Sequence, residues 1–78
     1  MQNNLTKRAL PFECAILDKE PQLVANPYTG DEVLLKPDAI AVYDCIKGSE
    51  LVKDWETVQK GLDWFREHEC KAYYVLLD

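Results

Sequence analysis

Apolar and polar residues follow two rhythms along this chain, and the change falls at about Lys36. Before it, short apolar runs are separated by turn residues. Phe12-Glu13-Cys14-Ala15-Ile16-Leu17 has a weak alternation and reads as a short strand candidate. Asp18-Lys19-Glu20-Pro21 makes a turn, and Gln22-Leu23-Val24-Ala25 is a second strand candidate. Asn26-Pro27-Tyr28-Thr29-Gly30 is the clearest local signal. Pro27 presets φ for a central turn position, Asn26 can bond the backbone two residues on, and Gly30 supplies a positive φ at the exit. Glu32-Val33-Leu34-Leu35 follows, so two β-like runs joined by a glycine-terminated loop predict a hairpin.

Beyond Lys36 the spacing becomes helical. Pro37 suits a first turn, where its missing N–H is no loss, and Asp38 favours the positive helix end. Ala39, Val42, Tyr43 and Ile46 share one face, with Ile40, Ala41 and Cys45 flanking them. A helix apolar on this much of its circumference belongs at a centre, of the fold or of a dimer. Gly48-Ser49 is expected to weaken or end it, with Leu51-Val52 as an apolar plug in the connection. Asp54 is a good N-cap for a second helix, and Glu56 lies in its first turn. There Trp55, Val58, Leu62 and Phe65 form a core stripe roughly 80° wide. Gly61 borders that stripe, where its missing side chain lets another element approach closely. Ala72-Tyr73-Tyr74-Val75-Leu76-Leu77 is read as a short third helix, with a strand joining the sheet as the runner-up.

The fold class is therefore α+β: an N-terminal hairpin of two to three short strands packed on two main helices and a short C-terminal helix. Residues 1–11, polar and ending at Pro11, are expected to form a flexible arm, and 12–78 one small domain. At 78 residues there is length for one domain, burying about 60% of its unfolded surface. The apolar fraction of 47% supports a folded chain rather than a disordered one.

Charge narrows the partners. Fourteen acids against nine bases leave −5, which argues against non-specific nucleic-acid binding and against anionic lipid. Neither a signal-like apolar stretch nor a run of about 18 apolar residues occurs, so a cytoplasmic location is expected, the host's if the chain is phage-encoded.

Candidate chemistry is sparse. Cys14, Cys45 and Cys70 are odd in number and widely spaced, which is no disulfide framework, although two could pair. They read as buried or half-buried thiols in a reducing compartment. His68 and Cys70 give one short-spaced pair, where structural zinc sites use two. A Cys–His nucleophile would need a cleft of about 300 Å³ or more, for which so short a chain has little room. No phosphate loop, nucleophile elbow or zinc-protease motif is present. No catalytic, metal or cofactor residue is assigned, and the chain is expected not to be an enzyme.

Two surface features remain. Trp64 lies roughly 100–180° from the stripe residues, so it either packs beneath the arm or the C-terminal segment, or stands exposed as a binding hot spot. Glu56, Asp63 and Glu67 share about 40° of arc. They make either a solvated face or a site for a basic protein partner, although Lys60 and Arg66 interrupt the field. Trp64, Glu56, Asp63 and Glu67 are the candidate partner-binding residues.

The order Asn26-Pro27-Tyr28-Thr29-Gly30, Pro37-Asp38-Ala39 with Tyr43-Asp44, Gly61-Leu62-Asp63-Trp64-Phe65 and Tyr73-Tyr74 through Leu76-Leu77-Asp78 resembles uncharacterised short accessory proteins of tailed bacteriophages. The resemblance covers about residues 24–78 and transfers no site residue. It implies an accessory protein acting on a host or phage macromolecule. The reading is a protein-interaction module, with a self-assembling homodimer and an acidic mimic that binds a nucleic-acid-binding protein as alternatives.

Overall fold

A computed structural model describes residues 8–77. Strand β1 (Gln22–Ala25) and strand β2 (Glu32–Leu35) pair antiparallel, with Leu23 opposite Leu34 and Val24 opposite Val33. The turn between them forms for the expected reasons. The Asn26 side-chain oxygen accepts from the Tyr28 N–H at 2.7 Å, and Gly30 takes φ +81°. The register turns Val24, Val33 and Leu35 inward and leaves Leu23 and Leu34 exposed. The Asn26 amide also donates to the Val75 carbonyl at 2.9 Å, which ties the turn to the C-terminal segment.

Helix α1 (Pro37–Leu51) starts at the expected proline. It does not end at Gly48-Ser49. Burial of Ile46 and its neighbours outweighs a glycine cost of about 1 kcal/mol, and the helix runs on to Leu51. A Schellman motif then stops it: Lys53 N–H bonds the Glu50 carbonyl at 3.2 Å and Asp54 N–H bonds the Ser49 carbonyl at 2.9 Å. The left-handed position of that motif, where glycine is usual, is Lys53 at φ 62°.

Helix α2 (Trp55–His68) begins at Asp54, whose carboxylate accepts from the Thr57 N–H at 3.3 Å and hydroxyl at 2.7 Å. Glu69, at φ −137° and ψ 57°, breaks the path. Helix α3 (Cys70–Ala72) follows and continues as a π-helical segment over Tyr73–Leu77, so this stretch is helical and not a third strand.

The core is Leu35, Ala39, Ile40, Val42, Ile46, Val58, Trp64, Phe65, Ala72 and Leu76. Helix α1 sits inside it, packed on α2 and β2, and buries Ala39, Ile40, Ala41, Val42 and Ile46 within one chain.

Further expectations need correction. Phe12–Leu17 forms no strand. Its residues belong to an extended strap that packs Phe12 and Cys14 on the core and leaves Leu17 exposed. The buried arc of α2 is also rotated from the stripe expected. Val58, Gly61, Trp64 and Phe65 are buried, centred near Gly61, while Trp55 is 60% exposed. The strap is the cause: it lies over the α2 face that carries Trp64, and an irregular segment leaves no periodic trace from which that could be read. Of the expected arm, residues 1–7 lie outside the described residues, and residues 8–11 are held against the helices. No described helix is long and apolar enough to cross a membrane.

Candidate functional site

The strap's contacts fix its course. The Arg8 guanidinium bonds both carboxylate oxygens of Asp38, at 2.6 and 2.9 Å, and reaches Glu69 at 2.8 Å and the His68 carbonyl at 3.2 Å. The Trp64 indole N–H donates to the Ala9 carbonyl at 2.7 Å. The Phe12 ring edge stands 3.5 Å from where a Gly61 β-carbon would be. Phe12 and Glu13 then share a groove with Cys45, Gly48 and Thr57. The strap therefore runs parallel to α1, from Asp38 toward Gly48, and antiparallel to α2, from His68 toward Thr57.

Trp64 accordingly belongs to the interior. It is 5% exposed, with the Arg8 guanidinium carbon 4.8 Å above its ring and the Phe65 ring edge-on at 5.4 Å. An indole with its N–H satisfied and its face covered is a packing residue, and it offers no area to a partner while the strap is seated.

The acidic row does lie on the solvent face of α2. Glu56, Asp63 and Glu67 are all exposed. Asp63 is claimed by its own helix: it accepts from Gln59 at 3.0 Å and pairs with Arg66. Arg66, then Gln59, holds its carboxyl below the usual range. Glu56 reaches Lys60 only loosely, at 3.9 Å. His68 and Cys70 are exposed at the end of α2 and start of α3. Among the described residues no three His, Cys, Asp or Glu side chains converge as a metal site would require.

The feature missed from the sequence is the corner between α1 and α2. Leu51 is 85% exposed, Val52 74% and Trp55 60%. Three large apolar side chains within five residues, all in water, are unusual for so small a surface. Val52 also lines a shallow groove of about 400 Å³ with Phe12, Glu13, Cys45, Gly48, Ser49 and Thr57. Cys45, Gly48, Ser49 and Val52 are spaced at three and four residues, so they form one face of α1. Glu56 projects about 100° from both Trp55 and Thr57 on the helical wheel, and Glu13 lines the groove from the strap. The one signal available beforehand was Leu51-Val52 beside Trp55, which a stripe drawn through Trp55 assigns to the core.

No family model, curated protein or solved structure matches the chain.

Proposed function

We propose that the protein is a non-enzymatic interaction module whose α1–α2 corner docks a basic amphipathic helix of a partner protein. The observation that carries this reading is the exposure of Leu51, Val52 and Trp55 at the α1–α2 corner, where Val52 lines the groove. Tryptophan is among the residues that most often dominate binding energy.

Two further observations support it. Gly48 costs about 1 kcal/mol within a helix, yet among the described residues nothing beyond its own helix backbone and chain neighbours lies within 4 Å of where its β-carbon would be. The fold itself makes no use of the missing side chain, whereas a partner backbone could approach closely there. Lys53 holds a left-handed conformation that L-residues avoid, and such strain collects at working surfaces.

Charge selects the occupant. Glu13 lines the groove, and Glu56 and Glu67 are exposed along α2. Lys and Arg flanking the partner's apolar stripe would meet these carboxylates. A second copy of this chain would instead bring the same acids face to face. On the resemblance to short phage proteins, the proposed partner would belong to a host machine that the module modulates or inhibits.

Calorimetric titration with an amphipathic Lys/Leu helical peptide, against a Glu/Leu peptide of equal length, tests the reading. Binding of the Lys/Leu peptide alone is expected, weakened about tenfold or more by Trp55→Ala, with unchanged circular dichroism. Absence of binding up to about 1 mM, equal binding of both peptides, or concentration-dependent dimerisation through the corner would overturn it.

A further inference from the structure

The strap brings two thiols from distant parts of the sequence to one place. Arg8 at Asp38 and Phe12 and Glu13 at the groove bracket the strap's path along α1. Asp38 and Cys45 are two turns apart, hence on the same face of α1. Cys14, the residue after Glu13, packs on the core from the strap, and both Cys14 and Cys45 are half-buried free thiols. Burial first, and the adjacent Cys45 thiol second, push the Cys14 thiol up. Cys70 is exposed and sits at the start of α3, beyond the end of α2.

We propose that Cys14 and Cys45 are a modification site: they close to an intrachain disulfide that locks the strap onto α1. The oxidant is a small-molecule disulfide. Cys45 lines the open groove, so its thiolate attacks first, forming a mixed disulfide and releasing one small thiol, which takes up the Cys45 proton. The Cys14 sulfur then attacks the Cys45 sulfur. This forms the Cys14–Cys45 bond, and the second small thiol leaves with the Cys14 proton. One small-molecule disulfide is reduced to two thiols as two protein thiols are oxidised to one disulfide. The raised Cys14 thiol suits this order, because the thiolate is the attacking species and Cys14 becomes one less readily than an ordinary cysteine. The bond would hold in place the segment that covers Trp64 and forms one wall of the groove.

The test is incubation with glutathione disulfide, followed by intact mass measurement and peptide mapping. Cys70→Ser is expected to lose two hydrogens, the wild type to do the same while the exposed Cys70 takes up a separate glutathione adduct, and both to yield a Cys14–Cys45 cross-linked peptide. Cys14→Ser is expected to stop at a glutathione adduct on Cys45. The melting temperature should rise on oxidation and return on reduction with dithiothreitol. Separate adducts on Cys14 and Cys45 in the wild type, no reaction at either, or a cross-link through Cys70 would overturn the proposal. The wild-type and Cys70→Ser maps decide the matter even where Cys14→Ser folds poorly. The outcome is independent of the peptide-docking reading.

Discussion

The Ile46 side chain occupies the space where a Gly61 side chain would begin: a β-carbon at Gly61 would stand 2.6 Å from Ile46 Cδ1. Ile46 is fully buried and β-branched, so it has little room to turn away. The glycine lets α1 and α2 approach, and it marks the centre of the buried face of α2.

The two helical glycines should therefore respond oppositely to alanine. Gly61→Ala overpacks a closed contact, at about 1–3 kcal/mol, against a helix gain of about 1 kcal/mol, and should destabilise on balance. Gly48→Ala meets open space and should stabilise by about 1 kcal/mol, while weakening the Lys/Leu peptide. Urea unfolding of both variants, with peptide titration of the second, checks the pair. Stabilisation by Gly61→Ala would contradict the packing described.

The two tryptophans should separate in fluorescence. Trp64 is covered by the strap and Trp55 is not. Trp55→Phe should leave a blue-shifted emission that resists iodide quenching. Trp64→Ala should cost about 3–5 kcal/mol, the range for a large core truncation. An equally quenched indole in Trp55→Phe would place Trp64 at the surface.

Acid should loosen the strap. Burial works to raise the Asp38 carboxyl, but the hydrogen bonds and charge of Arg8, with the Ala39 N–H and the Lys36 charge, together outweigh it and the net shift is downward. A folded value below the unfolded one means the contribution is complete above the ordinary carboxylate value of about 4 and is lost as pH falls through the lower folded value. Urea midpoints measured from neutral pH downward should fall in that acid window, and Asp38→Asn should reduce the fall. Because water screens this partly exposed pair, its contribution is about 1 kcal/mol or less. An identical acid profile in Asp38→Asn would remove the bridge from the account.

Local chemistry was readable in the residues wherever one short segment decided the outcome. The Asn26–Gly30 turn, the Pro37 helix start and the Asp54 cap each needed only neighbours in sequence. The burial of Trp64 depended on Ala9, far away in the chain, and the rotation of α2's inner face followed from it. Glu56, Asp63 and Glu67 could be placed on the outer face by spacing alone. Trp55 could not be assigned in the same way, since a residue at the first position of a helix can continue the inner stripe or turn out at the corner. The end of α1 was equally hidden, because the glycine that marks a helix stop, Gly48, lies inside the helix, and the stop itself uses Lys53.

Replacing Lys53 should show that the corner is held under strain. Lys53→Gly removes a left-handed cost of roughly 1–2 kcal/mol, against a glycine entropy cost of about 0.5–1 kcal/mol, so a small net gain in stability is expected by thermal melting. A clear loss would mean that the lysine side chain contributes contacts that outweigh the backbone cost.

The most direct test of the corner as a docking surface is a proton–nitrogen correlation spectrum recorded during titration with the Lys/Leu peptide. The amides of Glu13, Cys45 through Thr57 and the Trp55 indole should shift, while those of β1, β2 and α3 stay in place. Shifts centred on the hairpin or on the Tyr73–Leu77 segment, or no shifts at all, would contradict the account.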